Sequence, residues 1–228
     1  MRINTPIDKE RLKNHITYSI WKYVLMAVLC IMGWSLLYTT TAYRSPQDKR
    51  IDVYVMTNTA TQDTMDPLLE KIWHEVTPDM ETVGSVALLI GDDYITFTQL
   101  TTYIAAGDGD IYFVTEQFFK NFAAQGAFLP LDELVANGTI DASGVDLSKG
   151  YVTEVLDYDI NDVPTYGEKR LFGIPLESFY GYMNGMKLDN RGLYATILAY
   201  NQNDENVIPF FNALLQEGRA EMEDWIIN

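Results

Sequence analysis

Residues 104–134 constrain the fold more than any other part of this sequence. A continuous run of β-branched and aromatic residues predicts a short strand over Asp110–Thr115, covered on both faces as in a parallel sheet. Gly107 and Gly109 suit a helix C-cap and a tight return into that strand. A helix that ends at Gly126 and a further helical turn at a Pro-Leu-Asp-Glu-Leu segment follow it. The stretch therefore predicts an α–β–α unit and an α/β fold class.

The same alternation of strands and helices precedes this unit. Strands are predicted over Ile51–Met56 and Val83–Ile90. The helix between them has apolar residues at helical spacing, with Asp63 or Thr64 as its N-cap and Pro78 as its stop. A second amphipathic helix leads into the Asp110–Thr115 strand. This β–α–β–α–β–α order predicts a mostly parallel sheet, with right-handed crossovers and flanking helices.

An uncharged stretch near the N-terminus predicts a membrane anchor. Tyr23–Tyr43 has 21 residues without a charge, enough at ~1.5 Å per residue to cross a hydrocarbon core of ~30 Å. Lys and Arg residues before it favour an N-terminus inside the cell. The predicted segments are a cytoplasmic tail over 1–18, a single transmembrane helix over 19–43, a linker over 44–50 and an extracytoplasmic domain over 51–228.

A cleaved signal peptide is the alternative to this anchor, with Thr40-Thr41-Ala42 as its cleavage site. A lipoprotein signal at Cys30 is disfavoured, because Leu29 precedes the cysteine where a small residue is expected. As the single cysteine, Cys30 also excludes an intramolecular disulfide and a cysteine metal site. The two histidines, His15 and His74, lie on opposite sides of the predicted anchor, which excludes a two-histidine metal site.

The charge of the chain is divided between its two parts. Residues 1–50 carry eight Lys or Arg and three Asp or Glu, whereas residues 51–228 carry 8 Lys or Arg and 29 Asp or Glu. An acidic domain of this kind repels phosphate backbones, so nucleic acid is excluded as a partner. The acidity also keeps a secreted domain soluble.

Several motifs occur in an order that resembles the first lobe of bacterial extracellular solute-binding proteins of the ABC-importer type. They are Gly-Asp-Gly-Asp-Ile-Tyr-Phe-Val at 107–114, Gly-Ala-Phe-Leu-Pro-Leu-Asp-Glu-Leu at 126–134, Arg-Leu-Phe-Gly-Ile-Pro-Leu at 170–176, and a strand and helix over 194–215. The resemblance covers about 165 residues, taken from the first strand to the last helix. It implies a periplasmic-binding-protein-like lobe. Members of this family deliver ligands, many of them sugars or oligosaccharides, to ABC importers.

The sequence departs from the family where a second lobe is expected, because Glu177–Leu193 is all that connects the two matching parts. Ser178–Met186 and Leu193–Tyr200 predict the strands of a hairpin that replaces this lobe, with a turn over Lys187–Gly192. A one-lobe protein has no cleft that closes over a ligand. High-affinity capture of a free solute by this chain alone is therefore not expected.

Candidate ligand-binding residues follow the predicted strands, at the edge where open α/β sheets bind ligands. They are Asn58, Thr59, Asp93, Tyr94, Glu116, Glu177 and Tyr180. Carboxylates, an amide and aromatic faces would suit a sugar, through hydrogen bonds and stacking. The alternative is that Asn58, Thr59 and Thr115 cap the helices that follow them.

A second candidate site is a calcium loop. Its predicted ligands, at the spacing of an EF-hand loop, are Asp157, Asp159, Asn161 and Glu168. Asp162 stands where that loop requires glycine, so a solvated acidic loop is the alternative. Calcium is the one cofactor that the sequence suggests.

No catalytic motif emerges, since the sequence has no G-x-S-x-G, no P-loop and no G-x-G-x-x-G before a helix. We therefore expect a non-enzyme. The leading hypothesis is a membrane-anchored accessory protein that binds ABC transporter subunits or another solute-binding protein, or that weakly presents a ligand. The alternatives are a tethered, carbohydrate-type substrate receptor of an ABC importer and a calcium-dependent structural or adhesion module.

Overall fold

The structure is a computed structural model that describes residues 8–43, 45–158, 163–200 and 203–219. The chain divides into two compact units, Met1–Arg44 and Ser45–Asn228. The first contains helix α1, Lys9–Thr41, which begins where the Asp8 side chain accepts a hydrogen bond from the Lys9 N–H. Within α1, Lys13–Thr41 is long and apolar enough to cross a membrane, a property that N-terminal signal sequences share.

The second unit contains seven strands and six helices among the residues described. The strands are β1 (Arg50–Met56), β2 (Thr82–Leu88), β3 (Ile111–Thr115), β4 (Tyr151–Tyr158), β5 (Pro164–Leu171), β6 (Ile174–Pro175) and β7 (Leu193–Ile197). The helices are α2 (Gln62–Val76), α3 (Asp93–Ala106), α4 (Glu116–Ala124), α5 (Asp132–Ala136), α6 (Gly181–Gly185) and α7 (Asp204–Gly218). Short 3-10 helices lie at Gln47–Lys49 and Leu147–Gly150.

A five-stranded sheet in the order β2-β1-β3-β7-β6 forms the centre of this unit. Strand β1 pairs in parallel with β2 and β3, whereas β7 runs antiparallel to both β3 and β6. Four of the five strands therefore point the same way. Residues Ile111, Tyr112, Phe113 and Val114 of β3 are all fully buried, as expected for a central strand covered on both faces. The predicted α/β class and mostly parallel sheet are confirmed.

Helices cover both faces of the sheet. The crossovers from β1 to β2 and from β2 to β3 run in opposite directions, and connections of the right-handed kind that parallel strands usually adopt put two such helices on opposite faces. Phe97 of α3 stacks on Phe122 of α4 at 5.3 Å between ring centroids. Lys71 of α2 forms an ion pair with Glu217 of α7 at 2.9 Å. Strands β4 and β5 form a separate antiparallel pair.

The boundaries of two predicted elements need correction. Helix α2 is capped by Thr61, whose N–H donates to Thr64 Oγ1 at 2.9 Å, and not by Asp63 or Thr64. Thr61 is the last residue in an extended conformation, so the two predicted caps already lie in the first helical turn. Strand β2 ends at Leu88, two residues earlier than predicted, because the chain leaves the sheet before the N-cap of α3 at Asp92.

The predicted hairpin over Ser178–Tyr200 is wrong in its first strand. Ser178–Met186 forms a turn followed by helix α6, and Leu193–Ile197 alone forms a strand. Phe179, Tyr182 and Met186 are each fully buried. Their spacing of three and four residues matches one face of a helix, whereas alternate residues would be buried in a strand. The apolar face of this short helix packs against α7, and this burial overrides the strand-like aromatic composition.

The connection between β6 and β7 is closed at its base by hydrogen bonds. Leu176 N–H donates to Leu193 O at 2.9 Å, which ties the two ends of the connection together. The buried amide of Asn190 donates to the Leu176 carbonyl, and also to the Phe179 carbonyl at 3.0 Å. Because buried backbone carbonyls need partners, Asn190 completes a self-contained connection, the β6–β7 crossing over residues 176–192.

Replacing Gly181 with alanine is expected to destabilise this crossing. A Cβ atom at Gly181 would lie 2.5 Å from Glu217 O and 2.8 Å from Gly218 O, so the α6–α7 contact must open. We expect the free energy of unfolding to fall by about 1–3 kcal/mol, measured by denaturation of the full chain in detergent micelles. Gly91→Ala is the control, because nothing lies within 4 Å of its added Cβ. Equal effects of the two substitutions would contradict the close α6–α7 packing.

Candidate functional site

The loops at one edge of the sheet surround a small recess. Strands β1 and β3 end at this edge and β7 begins there, because β7 runs antiparallel to β3. The recess has a volume of about 160 Å³. Its lining residues are Thr57, Asn58, Thr59, Ile90, Thr115, Asp189, Arg191 and Leu193. Three loops that are distant in sequence therefore meet at the edge where the sequence predicted a site.

Asn58 and Thr59, two of the predicted ligand-binding residues, connect these loops to one another. Asn58 Oδ1 accepts a hydrogen bond from Ile90 N–H at 3.0 Å, and Thr59 Oγ1 accepts one from Asp189 N–H at 3.2 Å. The buried hydroxyl of Thr57 accepts from Thr59 N–H at 3.0 Å and so shapes the turn after β1. Both predicted residues are exposed, and both line the recess.

The alternative that Asn58, Thr59 and Thr115 cap the following helices is wrong for Asn58 and Thr59, whereas Thr115 does occupy the N-cap position of α4. Thr61 occupies the N-cap of α2, three residues after Asn58. Thr115 precedes α4, but within residues 45–158 its side chain makes no capping hydrogen bond to that helix. The Asn58 and Thr59 side chains reach across the sheet edge to neighbouring loops. Asn and Thr occur in such contacts as well as at helix N-caps, so the sequence pattern does not distinguish the two roles.

The two predicted glutamates border the edge, and each lies near a lysine. Glu116 forms an i,i+4 ion pair with Lys120 on α4, and this bond lowers the pKa of the Glu116 carboxyl. Glu177 lies 3.4 Å from Lys149 Nζ. Burial raises the pKa of Tyr194 in β7, and the charges of Glu116 and Glu177 raise it further. Glu116 follows Thr115, which pairs with Leu193, and Glu177 follows Leu176, whose N–H donates to Leu193 O; both glutamates therefore lie at one end of the sheet.

The other three predicted residues lie outside the recess, among the residues described. Asp93 and Tyr94 begin α3, where Tyr94 N–H donates to the capping Asp92 side chain at 2.9 Å. Tyr94 is 79% exposed, and Tyr180 in the crossing is 63% exposed. The structure thus brings together Asn58 and Thr59, with Glu116 and Glu177 at the border, and leaves these three residues on the surrounding surface.

Asp189 and Arg191 line the recess, although the sequence analysis assigned them only to a turn. Arg191 Nε donates to Asp189 Oδ1 at 2.8 Å, and this bond lowers the pKa of Asp189. The Arg191 side chain remains 81% exposed. The sequence feature that could have placed both residues at this edge is their position immediately before β7. An antiparallel strand begins at the edge where its parallel neighbours end. Arg191 thus places an exposed guanidinium, paired with Asp189, at the recess.

The size of the recess limits what it can enclose. Pockets that bury most of a small-molecule ligand have volumes of about 300–1,000 Å³. The recess, at about 160 Å³, is smaller. Its exposed amide, hydroxyl and guanidinium groups can instead make hydrogen bonds to a surface placed against the edge. The geometry therefore favours contact from one side over enclosure of a ligand.

Two of the four predicted calcium ligands lie on the β4–β5 pair. Asp157 lies on β4 opposite Thr165, and Glu168 lies on β5, three residues beyond Thr165. Asp159 and Asn161 lie outside the described residues. Among the described residues, no group of three or more His, Cys, Asp or Glu side chains is close enough to hold a metal ion. Calcium binding stays a prediction.

The structure is similar, over part of its length, to extracellular solute-binding proteins. An extracellular solute-binding protein family 1 member from Alicyclobacillus acidocaldarius matches at 19% identity with a TM-score of 0.37, covering 58% of this chain and 29% of that protein. An ABC substrate-binding protein from Listeria monocytogenes, solved with cycloalternan, matches at 19% identity with a TM-score of 0.35, covering 54% and 28%. The N-glycan transport solute binding protein of Streptococcus pneumoniae matches at 18% identity with a TM-score of 0.35, covering 55% and 24%.

These matches agree with the resemblance seen in the sequence and are likewise partial. The chain spans less than a third of the length of each protein. No protein-family model matches the sequence. No curated protein matches it either.

Proposed function

We propose that this chain is a membrane-anchored, extracytoplasmic accessory protein related to the solute-binding proteins of ABC transporters. It binds a partner protein at the recess edge, defined as Thr57–Thr59, Thr115 and Asp189–Leu193, or weakly presents a ligand there. The partner is a transporter subunit or a second solute-binding protein, and the ligand is a sugar. The observation that carries this proposal is an open recess too small to enclose a sugar oligomer, beside a crossing that replaces the second lobe.

The competing function is a tethered receptor that captures a sugar by itself. A single lobe contacts a ligand from one side and leaves the other side in water, so few of the ligand's polar groups are desolvated and paired. Calorimetry of the full chain in detergent micelles against a panel of oligosaccharides separates the two functions. The accessory function predicts no binding at micromolar or tighter affinity. Micromolar binding by the monomer would establish the competing function.

The anchor and its orientation are tested by labelling in intact cells. In a Cys30→Ser background, Ser178→Cys places a thiol on the crossing, which is exposed at this position. The proposed orientation predicts that a membrane-impermeant maleimide labels this thiol in intact cells, and that the protein remains in the membrane fraction after carbonate extraction. A protein released by carbonate extraction would indicate a cleaved signal peptide.

Arg191→Ala is expected to reduce partner binding at the recess edge. Removal of an exposed interface arginine that contributes about 1–2 kcal/mol would weaken binding roughly five- to thirtyfold. The measurement is the amount of transporter subunits that co-purifies with the full chain from its own membranes. Lys169→Ala is the matched control, because it removes an exposed cation from β5, outside the recess. Equal co-purification with both variants would show that the recess edge is not the binding surface.

A further inference from the structure

Helix α3 has an unusual surface for this domain. From Tyr94 to Ala106 it carries no charged side chain, although residues 51–228 contain 8 Lys or Arg and 29 Asp or Glu. Thr96 and Leu100 are its buried residues, so most of the helix surface reaches solvent. A surface helix of a soluble domain ordinarily carries charged or strongly polar residues on its outer face. Depletion of charge in an exposed patch is instead typical of the centre of a protein interface.

The outer face of α3 contains a groove of about 300 Å³. Its lining residues are Tyr94, Ile95, Thr98, Gln99, Thr102 and Tyr103. These six residues form two parallel rows with i,i+4 spacing, one from Tyr94 to Thr102 and one from Ile95 to Tyr103. Grooves between such rows accept the side-chain ridge of a second helix. The α3 groove, defined by these six residues, therefore has the form of a helix-binding surface.

The ends of the α3 groove carry larger side chains than its centre. Tyr94 and Ile95 are 79% and 58% exposed at one end. Tyr103 at the other end packs against Tyr54 of β1, with 5.0 Å between the ring centroids. Thr98 at the centre and Thr102 beside Tyr103 are smaller, and each hydroxyl is already bonded to a backbone carbonyl one turn earlier. The centre thus offers methyl groups to a partner and leaves its hydroxyl donors satisfied.

Acidic residues lie beyond both ends of the uncharged stretch. Asp92 and Asp93 precede it. Asp108 follows it, with a side chain that is 42% exposed and pairs with Arg50 at 3.3 Å; Asp52 shares this arginine at 3.0 Å, so two carboxylates against one guanidinium leave this end net negative. Thirteen helical residues place these two acidic ends about 20 Å apart. A partner helix that spans the groove therefore gains from a Lys or Arg near each of its own ends.

The same charges disfavour two other occupants. A second copy of α3 would bring acidic ends against acidic ends, whether the two helices ran parallel or antiparallel. The C-terminal residues of this chain, 220–228, carry Glu221, Glu223 and Asp224, and would meet the same repulsion. A helix from a different protein, with the opposite charge at its ends, fits this surface.

We propose that the α3 groove docks a helix of a different protein. An apolar i,i+4 row of that helix lies between the two rows of α3, and basic residues near its two ends face Asp92 and Asp93 at one end and Asp108 at the other. The α3 groove shares no lining residue with the recess edge. This docking surface is therefore independent of the proposed function at that edge.

The test is photocrosslinking of the full-length protein in its own membranes. Thr98→p-benzoylphenylalanine places the photoreactive group at the centre of the groove, and Gln117→p-benzoylphenylalanine places it on the exposed face of α4 as a control. We expect position 98, and not position 117, to give a product that maps by mass spectrometry to an uncharged helix flanked by Lys or Arg. A product with a second copy, with lipid or with any other kind of segment would overturn the proposal, as would no product.

A matched pair of charge substitutions tests the surface itself. Gln99→Glu adds a negative charge inside the groove, and Gln117→Glu adds the same charge to an exposed position on α4. Because an unpaired charge buried by a partner is costly, Gln99→Glu is expected to lower the crosslinking yield from position 98 about tenfold or more. Gln117→Glu should leave the yield within about twofold of the starting protein. With helicity unchanged by circular dichroism in both variants, equal yields would overturn the proposal.

Discussion

Replacing Tyr182 with alanine is expected to lower the free energy of unfolding of the sheet-containing unit by about 3–5 kcal/mol. Tyr182 is fully buried at the centre of the short crossing between β6 and β7. Its ring lies 5.4 Å from that of Phe113 in β3 and 6.0 Å from that of Phe179. Alanine would leave a cavity where α6 meets the sheet and α7. Denaturation of the full chain in detergent micelles, followed by tryptophan fluorescence, measures the change.

Tyr182→Phe separates the contribution of the hydroxyl to stability from that of the ring. The Tyr182 hydroxyl donates to Leu214 O at 2.8 Å, which ties α6 to α7. Loss of this bond alone is expected to cost about 1 kcal/mol, while the ring contacts remain. If Tyr182→Ala cost no more than Tyr182→Phe, the crossing would not be part of the core, and the account of a self-contained single lobe would fail.

The parts of the fold that the sequence predicts well are those in which local pattern and burial agree. Strand β3 is a continuous apolar run and lies in the middle of the sheet. Gly107 adopts a left-handed conformation with a φ of 67°, as its predicted role at the C-cap of α3 requires. At these positions a few adjacent residues contain all the information that decides the structure.

The crossing could not be predicted in the same way, because tertiary contacts decide its conformation. Its aromatic residues favour a strand by intrinsic preference. The close approach of Gly181 to the end of α7 and the burial of Tyr182 against Leu214 instead favour a helix. Both contacts join residues more than thirty positions apart, and no local pattern reports them. Arg191 was missed for the same reason, since its place at the recess depends on the antiparallel pairing of β7 with β3.

Asp110 is expected to make the stability of the domain depend on pH. Its carboxyl Oδ2 accepts a hydrogen bond from Asp52 N–H at 2.7 Å at the start of β3. The pKa of Asp110 is raised to about 7, chiefly by burial and also by the charges of Asp52 and Asp204, against the lowering effects of the Asp52 N–H and Arg50. The positive charge of Arg50 is shared among several carboxylates, because its guanidinium contacts Asp52 at 3.0 Å and Asp108 at 3.3 Å.

A raised pKa means that the folded protein holds the Asp110 proton more tightly than the unfolded chain does. The associated stabilisation is fully present below the ordinary pKa of 3.8 and is lost as the pH rises through about 7. Carboxylates with lowered pKa values, such as Asp189 and Glu116, act in the opposite direction and at lower pH. Between pH 5 and 8, the change in the free energy of unfolding therefore reports carboxyl groups whose pKa is raised, as that of Asp110 is.

Asp110→Asn should remove this dependence, because the amide oxygen can still accept from Asp52 N–H but carries no charge to bury. We expect the variant to match the starting protein at pH 4 and to exceed its free energy of unfolding by about 2–4 kcal/mol at pH 8, with the upper figure reduced by solvent screening. Denaturant titrations at several pH values measure the difference. Asp93→Asn, which removes an exposed charge on α3, should leave the slope with pH unchanged. A pH slope for Asp110→Asn equal to that of the starting protein would rule out Asp110 as the titrating group.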